Sequence, residues 1–404
     1  MKYEDYVDLK YEPSKTDVVC EYLIYPLTKR AAGAVAAESS IGTWTETFTT
    51  KPYVEKLAAT VFWMKGNKIK IAYPLELFEE GNLPNFLSSV AGNIFGMKEI
   101  KSLKLVDMRL PKKLINSFRG PKFGIEGIRK RMKVKKRPFL GTIIKPKIGL
   151  KTKEHVKVAY EAWVGGCDLV KDDENLASQK FNEFEKRLIK TLEAKDKAEE
   201  ETGERKGYII NVTADLVRMI ERAQMVEDYG GKYIMVDVIT VGWSALQTLR
   251  DQDFNLIIHA HRAGYAAFSR NPFHGISMKV IAKLCRLVGV DQLHVGAGIG
   301  KMFEKKEEVE ENCKVLKEKF GNLKKVLPIA SGGLHPLLVP ELIEFFGKDF
   351  VIQAGGGIHG HPSGTLVGAR AMRLAIEASL KGIKIEEYAK KHEELKECLK
   401  IWKK

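Results

Sequence analysis

The chain has 404 residues, 44% of them hydrophobic and 29% charged, which suits two or three globular domains and excludes disorder as the whole answer. Lys and Arg outnumber Asp and Glu by 67 to 52, a formal net charge of +15. The lysines alternate with glutamates instead of gathering with aromatics in a stripe, which argues against nucleic acid and for an anionic small molecule as partner. No apolar run approaches the ~18 residues that a membrane helix needs, so no membrane association is expected. The segment from Met1 to Asp5 is charged and carries no apolar targeting stretch. Five scattered cysteines without a C-x-x-C pair fit neither a disulfide scaffold nor a structural zinc site, and a cytoplasmic location is expected.

In chain order, the first part is mixed. Strands are predicted near 20–26 and 68–73, and helices near 31–38 and 83–90. A smaller α+β domain of ferredoxin-like type is therefore expected over 1–135. Beyond it the pattern becomes regular, with strand runs at 139–147, 167–174, 207–214, 233–242, 255–263, 291–298, 326–333 and 351–360, and helical stretches between them. Eight βα units in ~250 residues predict an α/β fold with a (β/α)8 TIM barrel over 136–404, ending in a charged helical tail.

In such a barrel the site lies at the C-terminal ends of the strands. Nearly every run here begins apolar and ends polar: Lys145 and Lys147, then Lys171, Asp173 and Glu174, then His261 and Arg262, and then His294. The last two end in Ser331, Gly332 and Gly333 and in Gln353, Gly355 and Gly356. Unpaired charge is costly inside a barrel, so these ends read as a site. Alternation sends Lys171 and Asp173 the same way, with Glu174 turning in where the strand stops. The cluster is either a set of ion pairs or a magnesium site; an ammonium cannot ligate, so in the second case the lysine stands outside the shell or becomes an oxygen ligand by carbamylation. His259 is read as a packing residue on the other face of its strand.

The segments Gly-Thr-Ile-Ile-Lys145-Pro-Lys147, Asp-Leu-Val-Lys171-Asp-Asp-Glu-Asn, His-Ala-His261-Arg262-Ala and Asp-Gln-Leu-His294-Val-Gly, with Ala-Ser331-Gly-Gly and Gln353-Ala-Gly-Gly-Gly, follow one another in order. Together with Ala-Ala-Glu38-Ser-Ser-Ile-Gly-Thr43-Trp44 and Ala-Gly-Asn93 they resemble the large subunit of ribulose-1,5-bisphosphate carboxylase/oxygenase (Rubisco), in its archaeal form III group, over nearly the whole chain. The resemblance implies Mg2+-dependent carboxylation and oxygenation of ribulose 1,5-bisphosphate through an enediolate, in nucleotide (AMP) salvage or a related sugar-phosphate route. Lys171 would become the carbamate formed with activating CO2, and Asp173 and Glu174 its partners on the metal. Lys145, with Lys147 beside it, would handle the enolisation and final protonation, His261 the hydration, and Lys301 the incoming carboxylate. Arg262 and His294 would hold one phosphate. Gly332, Gly333, Gly355 and Gly356 would hold the other, with Ser331 and Gln353 among the substrate contacts. Glu38, Thr43, Trp44 and Asn93 would be donated by a neighbouring subunit, in a homodimer or an octamer or decamer of dimers without small subunits.

Departures from the family pattern fall at Tyr265, at Ala297 and at Phe303 with Glu304, where many relatives have a histidine, a threonine and a small or glycine-containing stretch. Two other readings stay open at this point: a Rubisco-like enzyme confined to enolisation, isomerisation or decarboxylation of another sugar phosphate, and, resting on net charge alone, a non-enzymatic nucleic-acid-binding barrel.

Overall fold

The computed structural model describes residues 1–45, 47–300 and 304–403, so Lys301 and Phe303 lie outside the described residues. The chain forms two compact units. The first takes in 1–120, 264–288 and 319–323, and the second 121–263, 289–318 and 324–404.

Four strands open the first unit: β1 (Val18–Tyr25), β2 (Thr60–Lys65), β3 (Lys68–Tyr73) and β4 (Ser102–Arg109). In β1 the even positions Val18, Cys20, Tyr22 and Ile24 are buried while Glu21 and Leu23 are less so, the period-2 signature of a sheet covered on one face. Helix Lys29–Glu38 packs against β2 and the turn Tyr3–Tyr6. It starts where the Thr28 hydroxyl accepts from the Ala31 N–H at 3.0 Å. Its run of alanines and Gly33 is fully buried, and a Cβ on Gly33 would fall 1.8 Å from the Tyr3 carbonyl oxygen, so only glycine permits this close approach.

The second unit supplies β5 (Phe139–Ile143), β6 (Leu169–Lys171), β7 (Gly207–Asn211), β8 (Tyr233–Asp237) and β9 (Ile257–His261). After β9 the chain leaves it for a two-residue strand of the first unit, β10 (Gly275–Ile276), and returns for β11 (Gln292–His294), β12 (Leu327–Ser331) and β13 (Val351–Ala354). Strand β10 pairs in parallel with β4 and completes a five-stranded sheet in the order β10-β4-β1-β3-β2. The other eight strands form a closed parallel barrel, β11-β12-β13-β5-β6-β7-β8-β9. All eight strand runs expected from the sequence are there, although each ladder is shorter than its run and ends at or near the polar residues.

One end of the barrel is closed by helix Gly124–Met132, whose Ile125, Ile128 and Met132 recur at helical spacing and meet Phe139, Leu169, Ile209, Tyr233, Ile257, Leu327 and Val351 near the strand starts. Burial of each such side chain contributes about 1.5–3 kcal/mol. The fully buried Asp291 carboxylate fastens this plug. Oδ1 accepts from the Phe123 and Gly124 N–H groups at 2.7 and 3.0 Å, and Oδ2 from Arg250 at 2.7 Å. Among the described residues no helix is long and apolar enough to cross a membrane.

Candidate active site

With one end plugged by apolar side chains, the polar strand ends collect at the other. Lys171 ends β6, paired with Ile143 of β5 and Ile209 of β7, and is only 1% exposed. Its Nζ donates to the Asp172 carbonyl at 2.6 Å and to Met235 Sδ at 3.2 Å, and stands 3.7 Å from Glu174 Oε2. Burial, the largest influence, disfavours the ammonium and lowers the Lys171 pKa despite three acidic neighbours. Lys145 donates to Asp173 Oδ2 at 2.9 Å, and Asp173 Oδ1 accepts from the Asn175 side chain at 3.0 Å. Burial raises the Asp173 carboxyl pKa, but these hydrogen bonds more than offset it, leaving the group below the usual carboxylate value.

Asp172 faces the opposite way, into the barrel wall. It is fully buried and accepts from Arg187 Nε at 3.1 Å, Tyr208 Oη at 2.7 Å and the Asn211 N–H at 3.2 Å. Burial alone would push it up; the Arg187 charge and the bonds from His155 and Tyr208 hold it at about 2. Asp172 thus anchors the short segment that presents Lys171, Asp173 and Glu174, a bracing role not read from the sequence.

Across the site stands a histidine cluster. His261 ends β9, in register with Asp237 at the end of β8. Its Nδ1 lies 3.1 Å from Asp237 Oδ1, and its Nε2 lies 3.6 Å from Glu174 Oε2. Asp237 also accepts from the Ala263 N–H at 2.8 Å, so the carboxylate that orients the imidazole is itself held. His294 Nδ1 lies 2.9 Å from Ser331 Oγ, and His294 Nε2 lies 2.9 Å from His259 Nε2. His259 Nδ1 in turn meets Gln292 Oε1 at 2.9 Å. The expectation that His259 packs on the other face of its strand is corrected as to the face: positions two apart share a face, so His259 lies on the same side as His261, and it is fully buried. Burial first, then neighbouring cationic and imidazole groups, hold His259 and His294 well below the ordinary histidine pKa, and both are uncharged at neutral pH.

Arg262, 6% exposed, is paired with Glu304, 2.5 Å from Nη2 to Oε1. Ser331 ends β12, and Gly332 and Gly333 follow it at φ +114° and +75°, where L side chains are strained. Gln353 lies on β13 in register with Ser331, and its Oε1 would be 2.3 Å from a Cβ on Gly141, a close approach that glycine allows. Gly355 leaves 3.2 Å between its missing Cβ and Lys145 Cε, while Gly356 borders open space. Lys147 is exposed. Of the departures, Tyr265 and Ala297 are buried, Tyr265 belonging to the first unit.

Glu38, Thr43, Trp44 and Asn93 also belong to the first unit. Glu38 ends its helix, 3.4 Å from the Tyr3 hydroxyl, and Trp44 is 78% exposed. Among the described residues no cluster of three or more His, Cys, Asp and Glu side chains is arranged to hold a metal ion. Asp173 and Glu174 supply two anionic oxygen groups to this corner, the donor type that hard cations take.

Two family models match the chain. "Ribulose bisphosphate carboxylase large chain, N-terminal domain" matches 5–114, and "Ribulose bisphosphate carboxylase large chain, catalytic domain" matches 124–402. The chain is 51% identical to the ribulose bisphosphate carboxylase of Methanocaldococcus jannaschii, over 99% of this chain and 100% of that protein. With the Pyrococcus furiosus enzyme the identity is 49%, over 99% and 97%. Among solved structures, the sulfate complex of the octameric Rubisco from Pyrococcus horikoshii OT3 superposes with a TM-score of 0.96 at 48% identity, covering 99% of this chain and 96% of that one. The dimeric archaeal Rubisco from Hyperthermus butylicus gives 0.94 at 46%, covering 99% of each. By sequence and fold along its full length, the chain belongs to the ribulose bisphosphate carboxylase large-chain family, alongside these archaeal enzymes.

Proposed function

We propose that the protein carboxylates ribulose 1,5-bisphosphate to two molecules of 3-phosphoglycerate, and oxygenates it as a side reaction, with Mg2+ and a carbamate on Lys171. The observation that carries this reading is the buried Lys171 amine 3.7 Å from Glu174 and on the same side as Asp173. Its lowered pKa enlarges the neutral fraction, the form whose lone pair attacks the carbon of CO2. The nitrogen then gives up a proton, and the carbamate anion joins Asp173 and Glu174 as a third hard oxygen donor. Bound there, Mg2+ would supply Lewis-acid stabilisation of the enediolate oxygens.

The protein's own groups do the rest. Lys145, held by Asp173, handles the proton in the enolisation and final protonation, with Lys147 alongside. His261, oriented by Asp237, serves the hydration step. Arg262 and His294 take one phosphate, and the glycine loops at Gly332, Gly333, Gly355 and Gly356 take the other, with Ser331 and Gln353 along the sugar. Lys301 meets the incoming carboxylate. We assign residues 1–135 to an N-terminal domain that lends Glu38, Thr43, Trp44 and Asn93 to a partner's site, and 136–404 to the catalytic domain. The working unit is then a homodimer or a larger assembly of dimers without small subunits, and nucleotide salvage is the proposed source of substrate.

The test is incubation with ribulose bisphosphate, labelled bicarbonate and Mg2+. Acid-stable label should enter 3-phosphoglycerate only after preincubation with CO2 and Mg2+, and Lys171→Ala should remove it without loss of the fold. Full activity free of CO2 activation and metal would overturn the reading, and proton exchange at C3 without label would point to an enolising enzyme instead.

A further inference from the structure

The ion pair between Arg262 and Glu304 brings in a residue, Glu304, that the proposed reaction does not use. Both side chains are nearly or fully buried, at 6% and 0% exposure, and their nearest atoms are 2.5 Å apart. Gly296 makes room for them: a Cβ there would lie 3.2 Å from Arg262 Nη2 and 3.3 Å from the Glu304 carboxylate, and its φ of +89° is one that L side chains rarely adopt. Taking two charges out of water is costly and poorly repaid in stability, so the pair is weak evidence for a purely structural role.

Its placement suggests another role, which rests on the reading that Arg262 and His294 receive a substrate phosphate. Burial keeps His294 uncharged, and Glu304 cancels the Arg262 charge, so these three side chains together offer a dianion no net positive charge. We infer that Glu304 sets affinity at this phosphate site: its carboxylate holds the guanidinium that an incoming phosphate must engage, and so competes with every phosphorylated ligand at that end, product included. The site trades tight binding for exchange. Glu304 acts through Arg262 and touches no reacting atom, so it is a positioning residue.

The experiment measures the affinity of the intact enzyme for inorganic phosphate and sulfate by calorimetry, together with KM and kcat for ribulose bisphosphate. The variants are Glu304→Gln, Glu304→Asp and Arg262→Gln, with thermal unfolding as the check on folding. Removing a close competing charge should tighten anion binding and lower KM by about tenfold or more in Glu304→Gln, with kcat raised by none of it. Arg262→Gln should weaken both. If Glu304→Gln leaves binding unchanged or weakens it while Arg262→Gln still weakens it, the pair is structural and the inference fails alone. If Arg262→Gln has no effect on anion binding, the phosphate assignment itself falls, and the inference with it. Should Glu304→Gln not fold, the shorter carboxylate of Glu304→Asp must still tighten binding several-fold; equal or weaker binding there overturns the inference.

Discussion

Asp237→Asn keeps the shape of the side chain and one oxygen acceptor while removing the charge. In the native protein the buried Asp237 carboxylate accepts from the Ala263 N–H at 2.8 Å and faces His261 Nδ1 at 3.1 Å. A hydrogen bond to a charged partner contributes about 1.5–3 kcal/mol, against about 0.5–1.5 for a neutral pair. The substitution therefore removes about 1–2 kcal/mol from the interaction that fixes the imidazole's tautomer and orientation, a 5- to 30-fold effect on any step that needs them. Overall carboxylation, followed as fixed label, should fall by that factor. On the proposed assignments, exchange of the C3 proton with solvent uses the lysines and carboxylates instead of His261, and should stay within about twofold. Equal losses in the two assays, or no loss in either, would refute the assignment of Asp237 to His261.

Asp172→Asn should destabilise the fold by about 3–5 kcal/mol, because it leaves the buried Arg187 guanidinium without its counter-charge. Urea unfolding would show a lower midpoint at unchanged slope, and a shift below 1 kcal/mol would contradict the bracing role. Acid should weaken the barrel well above the carboxylate range. Burial lowers the His359 pKa to about 4, so between pH 6.5 and 4 the unfolded chain takes up a proton that the folded chain refuses. His359 then contributes stability that is full above pH 6.5 and falls through that window by at most about 3 kcal/mol, to which His259 and His294 add in the same direction. Urea titrations from pH 7.5 to 4 should show the decline, less steep in His359→Gln; flat or rising stability would exclude it.

The barrel was legible because its interior forbids what its rim requires. A run such as 139–147 can be apolar at Phe139 and Leu140 and carry Lys145 and Lys147 only if the charged end leaves the wall, and the repetition of that change marked the fold and the candidate site. Asp237 escaped notice for a physical reason. Its partner His261 lies 24 residues away, and they meet only through the register of β8 with β9, which no local spacing encodes. Asp172 sat in an acidic run whose members look alike in sequence; strand alternation sends it into the wall, toward an arginine on the following helix. The two residues of β10 carry no alternation to read, and their strand exists only because β4 offers an edge.

That edge has a history during synthesis. β4 ends at Arg109, while the strand that pairs with Lys104 and Leu105 on its free side begins at Gly275, so about 165 residues must be made before the sheet is complete. At roughly 5–20 residues per second, the ribosome leaves an unpaired row of N–H and C=O groups available for about 8 to 33 seconds. Bare edges are templates for pairing with other chains, and on a polysome the nearest other chains are copies of this one. The emerging protein therefore passes through an interval in which a chaperone that shields β strands would raise its yield more than one that acts on the finished molecule.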